Sequence, residues 1–462
     1  MTPRVAIVGA GPSGLFAAQA LLTGHPTLLV DVIDRLPTPF GLLRYGVAPD
    51  HTSIQRIQRA LVAPFTSERV RFFGLVELGR SITADELRAG YDAVIYAAGA
   101  AEDRRLGVPG EDLDGSRAAR EFVAWYCGHP DAPAQSLAGV SSAVTFGVGN
   151  VAVDVARILL GGAHDLRATD MPEAVLAELA ASDITDVHLV GRRGPAEASF
   201  TTVELRELVS LPDVQPLLDS RVLAGIDLEG LDRRARANLD VLAEAATREV
   251  PEARARLHLH FWLRPVELRG KGRVTSVVLE RTRRALGSGV EGTGELSQIP
   301  ADLVLRAIGY RGRPVPGVPF DSQAGIIPND EGRVLDAEGL RRPGEYAVGW
   351  IKRGAIGVIG TNKSDAAATV KHLLADLDAH QGTPTGPDAA ALLAEAGLGA
   401  SSFADWERID AEEQARGQAA GRPRVKVASW HQLTDLVRFG RGGGPLEWEP
   451  QAGVEAEPVV GQ

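Results

Sequence analysis

Apolar residues in this chain fall in short runs whose period changes along the sequence. Val5-Ala6-Ile7-Val8 is an unbroken run, Gly9-Ala10-Gly11-Pro12-Ser13-Gly14 interrupts it, and residues 15–22 resume with apolar positions at helical spacing. The same order recurs at Ala143-Val144-Thr145-Phe146, at Gly147-Val148-Gly149-Asn150-Val151-Ala152 and at residues 153–160. A fully apolar run reads as a strand covered on both faces, and the stretch after the turn reads as a helix packed against it. Two such units predict an α/β chain with two Rossmann-like, doubly wound dinucleotide-binding domains.

Two further strand signals resemble each other. Residues 91–99 and 301–309 each contain an acidic residue, an apolar strand and a closing glycine. They resemble the segments that carry two-nucleotide flavoproteins from one domain to the other, and this likeness implies a first passage near residues 99–112 and a return near 309–329. The second domain is thereby inserted into the first, with 1–104 and 330–462 as one discontinuous domain and 105–329 as the other. Beyond Lys371 the pattern loosens. Residues 382–387 read as a linker, 389–395 and 403–415 as short helices, and the Gly-, Pro- and Glu-rich tail from about Gly440 as disordered. There are no repeats and no coiled-coil heptads.

Composition narrows the chemistry. A length of 462 residues exceeds a single core. A net charge of −11 argues against nucleic acid as a general partner, since phosphate contacts need a basic face. The single cysteine, Cys127, excludes an intrachain disulfide, a CxxC redox centre and a Cys₄ iron–sulfur site, and reads best as a buried thiol without chemistry. No metal site is expected. No apolar run approaches the roughly 20 residues that cross a bilayer, and no targeting signal precedes the first strand, so a cytoplasmic location is expected.

The spacing Gly9, Gly11, Gly14 suits a pyrophosphate-binding turn. The first glycine makes the turn, the second lets the backbone approach the ligand, and the third allows close strand–helix packing. Asp34, at the end of the next apolar run, stands where an acid would take adenosine ribose hydroxyls. In the second unit Gly147, Gly149 and Ala152 form the alanine variant. The strand Asp186-Val187-His188-Leu189-Val190 then ends in Gly191-Arg192-Arg193, where an NAD site would place a carboxylate. Two guanidiniums match a 2′-phosphate instead, which selects NADP over NAD.

Taken together, these residues resemble the adrenodoxin reductase family of ferredoxin–NADP reductases, particularly its actinobacterial members. Leu36-Pro37-Thr38-Pro39-Phe40-Gly41-Leu42-Leu43-Arg44-Tyr45-Gly46-Val47-Ala48-Pro49-Asp50-His51 is the most specific segment. Gly349-Trp350-Ile351-Lys352-Arg353-Gly354-Ala355-Ile356-Gly357-Val358-Ile359-Gly360-Thr361-Asn362-Lys363 follows it, and the likeness continues weakly through residues 421–426. The resemblance implies FAD held by Gly9, Gly11, Ser13, Gly14, Asp34, Leu42 and Leu78, and at its other end by Trp350, Gly357, Val358 and Ile359. It implies NADP(H) held by Arg104, by Gly149, Asn150, Val151 and Ala152, by Arg192, Arg193 and Glu204, and by Gly357. The first domain is then FAD-binding and the inserted one NADP-binding. Asp34 departs from the Glu of many members and has a shorter reach, and Val148 replaces an Asn.

The implied activity is electron transfer from NADPH through FAD to a separate ferredoxin. NADPH gives two electrons together as a hydride, an iron–sulfur cluster takes one at a time, and a flavin mediates between them. The likeness also places His51 and Asp154 near the flavin–nicotinamide region, with a proton-handling or nicotinamide-positioning role. Against this, Asp154 could simply pair near its helix start, His51 could be a satisfied buried histidine, and Trp350 could be core. Residues 254–284 carry nine basic side chains against two acidic ones, with Arg233, Arg234 and Arg236 nearby. They would either steer an acidic ferredoxin or form a solvated charged hairpin. Rival readings are an NADPH oxidoreductase acting on quinone or another small acceptor, a non-catalytic FAD/NADP-binding protein, and a hydroxylating monooxygenase.

Overall fold

The computed structural model describes residues 2–161, 166–287, 289–379 and 384–439. The tail from Gly440 and the first part of the 382–387 linker lie outside the described residues.

Arg4–Val8 lies at the centre of the five parallel strands of a seven-stranded sheet. Leu29–Ile33 and then Val70–Phe73 flank it on one side, and Ala93–Tyr96 and Arg341–Ala347 on the other. These five strands are parallel. Two short antiparallel strands, Asn329–Asp330 and Arg333–Leu335, finish the edge. Val5, Ile7, Val30 and Ile95 face one core and Ala6, Val8, Ile33 and Val94 the other, which explains their unbroken apolar runs. Helices Pro12–Gly24 and Ile359–Ala379 pack together on the first face through Ala17, Leu21, Ala366, Val370 and Leu373.

The second sheet takes all six of its strands from between residues 116 and 306 and is parallel throughout. Its order is Ser116–Ala118, Leu303–Arg306, Ser142–Phe146, Asp186–Val190, Ala255–His260 and Val214–Leu218. One face packs on the helices around Val155, Ile158, Leu205 and Leu242. The other is partly covered by an antiparallel three-stranded sheet, Leu263–Lys271, Arg273–Arg284 and Val290–Pro300, through Leu268, Val274, Val277 and Leu279. The outgoing and returning passages pair with each other as a ribbon, Asp103 opposite Tyr310 and Glu102 opposite Arg311.

Both predicted glycine-turn helices start earlier than their apolar pattern suggests, at Pro12 and at Asn150. The reason is local: Gly11 and Gly149 serve as the N-caps, so the turn residues themselves form the first helical turn. The 403–415 helix runs on to Ala419 behind a Ser402–Asp405 capping box. A further helix, Trp430–Phe439, was not anticipated. Its Trp430, Leu433 and Val437 complete the core of the first sheet, a role readable only from tertiary packing.

Arginines 254–284 form the charged surface of this covering sheet and its neighbouring strand, and their charge is locally neutralised. Seven of the nine basic side chains meet carboxylates, including Arg254 with Asp213, Arg281 with Glu295, Arg283 with Glu291 and Arg284 with Glu197. Of the two readings of this stretch, the ion pairs favour the solvated charged hairpin. The partners Asp213, Glu197, Glu291 and Glu295 all lie outside the stretch that looked basic.

Candidate functional site

The first glycine turn is built by close approach. Gly9 has φ +113, and a Cβ there would lie 2.4 Å from the Ala97 carbonyl oxygen. A Cβ at Gly14 would lie 2.0 Å from the Gly9 oxygen, whereas one at Gly11 would meet nothing within 4 Å. The turn is thus closed towards the protein and open at Gly11, the shape a pyrophosphate cradle needs. Three distant segments converge on it. The Ala10 amide donates to Asp34 Oδ2 at 2.7 Å and the Leu36 amide to Oδ1 at 2.9 Å. Desolvation holds the Asp34 carboxyl above its usual range, against the pull of those amides. The Val76 amide bonds to the Asp34 carbonyl at 3.0 Å and brings Leu78 near that strand end. Phe40 donates its amide to the Ala10 carbonyl at 2.8 Å, seating Gly41 and Leu42 on the loop. At the far end Gly349, φ +74, leaves space that a Cβ could not share with Ser13 Oγ, 2.1 Å away.

Trp350 follows Gly349 and lies beside Tyr310, the ring centres 5.7 Å apart. Its indole Nε1 is buried and has no hydrogen-bond partner among the described residues. An orphaned donor beside an open glycine cradle fits a ligand with ring acceptors, as a flavin has. Gly357, φ +90, turns the chain into helix Ile359–Ala379, presenting Val358 65% exposed. The apolar surface there, with Ile356, is what a bound aromatic ring system would cover.

The second turn repeats the construction. Gly147 has φ +127, and a Cβ there would lie 2.3 Å from the Ala307 oxygen. Asn150 accepts from the Thr201 amide at 2.8 Å, tying Gly149, Asn150, Val151 and Ala152 to the segment that opens helix Thr202–Val209. Arg192 is exposed just beyond the second strand, its carbonyl fixed by Thr282 Oγ1 at 2.8 Å. Arg193, Glu197, Arg284 and Gly287 line a depression of about 210 Å³ beside it. Arg104 stands at the inter-sheet ribbon, its amide on the Gly309 carbonyl at 3.1 Å.

Between the two turns lies an ionised cluster. His51 caps helix Thr52–Leu61 on the first side, while Asp154 comes from helix Asn150–Leu160 and Glu204 from helix Thr202–Val209. His51 Nε2 lies 2.9 Å from Asp154 Oδ1 and 3.2 Å from Glu204 Oε2. Arg157 joins them, 2.8 Å from Asp154 and also paired with Asp50. Burial works against the imidazolium, but its bonds to Asp154 and Glu204 prevail and raise its pKa to about 10. Burial pushes Asp154 up to about 6, the His51 bond notwithstanding. Glu204 is held below the usual carboxylate range. The raised value favours the imidazolium at neutral pH, against the Arg157 guanidinium, whose Nη2 stands 3.0 Å from the same ring nitrogen. Sequence reasoning missed Arg157 and Asp50, although Arg157 lies one helical turn after Asp154 and Asp50 directly precedes His51. Cys127 is buried, donates to the Val47 carbonyl at 3.1 Å, and has its thiol pushed up to about 12 by burial.

Two sheets built on parallel strands, each with a strand–glycine turn–helix unit in its interior, define an α/β protein of two Rossmann-like dinucleotide-binding domains. No protein-family model matches the chain. It is 44% identical over 460 residues to NADPH-ferredoxin reductase FprA of Mycobacterium tuberculosis, covering 95% of this chain and 99% of that protein. It is 40% identical over 462 residues to mitochondrial NADPH:adrenodoxin oxidoreductase of Homo sapiens, covering 94% and 92%. The solved structure of Mycobacterium tuberculosis FprA in complex with NADPH superposes with a TM-score of 0.89 at 44% identity, over 96% of this chain and all of that one. The chain belongs to the adrenodoxin reductase-type family of ferredoxin–NADP reductases.

Proposed function

We propose that the chain is an NADPH-dependent FAD enzyme that passes electrons to a ferredoxin-type iron–sulfur protein. The observation that carries this reading is full-length kinship with NADPH-ferredoxin reductase, joined to a second nucleotide turn that ends in Arg192-Arg193. We assign residues 1–104 and 330–462 to FAD and 105–329 to NADP(H). FAD supplies exchange between paired and single electrons when bound. Gly9, Gly11, Ser13, Gly14 and Asp34 would hold its adenosine and pyrophosphate end, with Leu42, Leu78, Trp350, Gly357, Val358 and Ile359 along the rest. Gly149 to Ala152 would take the NADP pyrophosphate, Arg192 and Arg193 the 2′-phosphate, and Arg104 would assist from the ribbon. His51, charged and held by Asp154 and Glu204, would keep the two halves in register and present a fixed positive field where the nucleotides meet. With one buried thiol the chain has no cysteine set for a cluster of its own, so the electrons leave to a separate acceptor. A lone free thiol suits a reducing compartment. We place the protein in the cytoplasm, which cell fractionation checks.

Anaerobic stopped flow on the FAD-loaded protein tests the reading. Bleaching by NADPH and not by NADH, followed by reoxidation with a low-potential ferredoxin, is expected. Equal rates with NADH would remove the 2′-phosphate assignment. Bleaching without ferredoxin reoxidation would favour a quinone or other small acceptor. Absence of bleaching would favour a non-catalytic binder.

A further inference from the structure

We propose that His188, His258 and His260 form a binding site for one divalent transition-metal ion of the zinc, cobalt, nickel or copper class. His188 lies on Asp186–Val190, and His258 and His260 on the neighbouring parallel strand Ala255–His260. His258 stands directly opposite His188 in the register, and His260, two residues on, shares its face. One ligand nitrogen from each of the three lies within 4.8 Å of the others. His188 Nδ1 and His260 Nε2 are 3.0 Å apart. A tetrahedral ion with nitrogen ligands at about 2.0–2.1 Å sets them about 3.3 Å apart, so that pair is already near ligand spacing. Two neutral imidazoles in this contact share a single proton; an ion takes its place and the proton moves to the donor ring's other nitrogen, so both rings bind as neutral ligands. The His258 ring is stacked on His188, centroids 4.1 Å apart and planes 15° apart, so it must turn about its Cβ–Cγ bond for Nδ1 to complete the third bond.

The supporting groups match as well. His258 Nε2 lies 2.7 Å from Asp186 Oδ1, and a carboxylate only accepts, so this nitrogen carries the proton and Nδ1 keeps the lone pair. Arg256 fixes the other Asp186 oxygen at 2.7 Å. A carboxylate that orients a ligating imidazole is the usual outer partner of such sites. The opposite face of both strands is sealed by Val187, Leu189, Leu257 and Leu259, which makes the platform rigid. The His258 side chain is 21% exposed, and Leu217, its neighbour on the edge strand, is 38% exposed, giving the ion a path in. Sequence reading expected no metal; the strand register is what brings His188 to His258 and His260.

The test uses the FAD-loaded full chain, stripped with a chelator and titrated with Zn²⁺ by calorimetry and with Co²⁺ by visible absorption. One ion per chain and the strong d–d bands of nitrogen-ligated tetrahedral Co²⁺ are expected. In the His258→Gln/His260→Gln variant the ion should be lost, and in Asp186→Asn affinity should fall about 10–100-fold. Unchanged stoichiometry in the double variant would overturn the site and locate the ion elsewhere, as at His51, Glu204 and Glu207. Should the double variant fail to retain FAD, the wild-type Co²⁺ spectrum decides: the weak bands of hydrated octahedral Co²⁺ overturn the proposal.

Discussion

His51 keeps its proton far past neutrality because two carboxylates from the inserted domain surround its Nε2. Its folded pKa, about 10, exceeds the ordinary 6.5, so its contribution to stability is complete below about pH 6.5 and is lost as pH rises through about 10. His51→Gln should therefore lower stability by about 1–3 kcal/mol at pH 6. The melting-temperature gap to wild type should narrow steadily up to pH 10.5, as scanning calorimetry checks; a gap independent of pH would show that His51 is neutral in the native state. Arg192 and Arg193 call for a kinetic test. Replacing either with Ala removes charge-assisted bonds to a 2′-phosphate, at about 1.5–3 kcal/mol. The KM for NADPH should rise about 10–100-fold while that for NADH barely moves. An equal rise for both nucleotides would place the guanidiniums elsewhere.

At the scale of elements, the two glycine turns are separable devices. Gly14→Ala drives a Cβ into the Gly9 carbonyl and should release FAD while leaving the inserted sheet folded. Gly147→Ala drives one into the Ala307 carbonyl and should abolish NADPH binding with FAD retained. Flavin absorbance after gel filtration and NADP titration distinguish the two. These turns were legible in the sequence because every determinant is local: a buried strand, glycines at fixed spacing, and a helix whose N-cap is the second glycine. Asp34 and the Arg192-Arg193 pair were legible for the same reason, each ending the next strand. What escaped depended on distant partners. Arg284 looked like part of a basic face until Glu197 appeared beside it, and the helix Trp430–Phe439 has meaning only against Leu15 and Val32 in the first core.

At the scale of the whole molecule, the C-terminal segment locks the halves together. Arg44 lies 4.9 Å from the ring centres of both Tyr45 and Trp406 and donates to Glu413 at 3.0 Å, with both charged side chains at most 1% exposed. Glu413 also holds Arg424 and the Val427 amide, both at 2.8 Å. From the same stretch Arg422 reaches the Thr169 carbonyl at 3.0 Å and Lys426 pairs with Asp170 at 3.2 Å, both in the inserted domain. Glu413→Gln takes the carboxylate from the buried Arg44, while Arg424 keeps Asp410, and should cost about 3–5 kcal/mol. Flavin release and loss of tertiary structure should then occur together at a lower temperature, which parallel fluorescence and circular-dichroism melts record. The inserted topology has a further consequence during synthesis. Strand Ala93–Tyr96 finds its outer neighbour, Arg341–Ala347, only after about 250 more residues have been made, ~10–50 s at ordinary elongation rates. Through that interval the inserted sheet, whose last strand ends at Arg306, can close first on the ribosome. The nascent first sheet meanwhile leaves the outer edge of Ala93–Tyr96 unpaired.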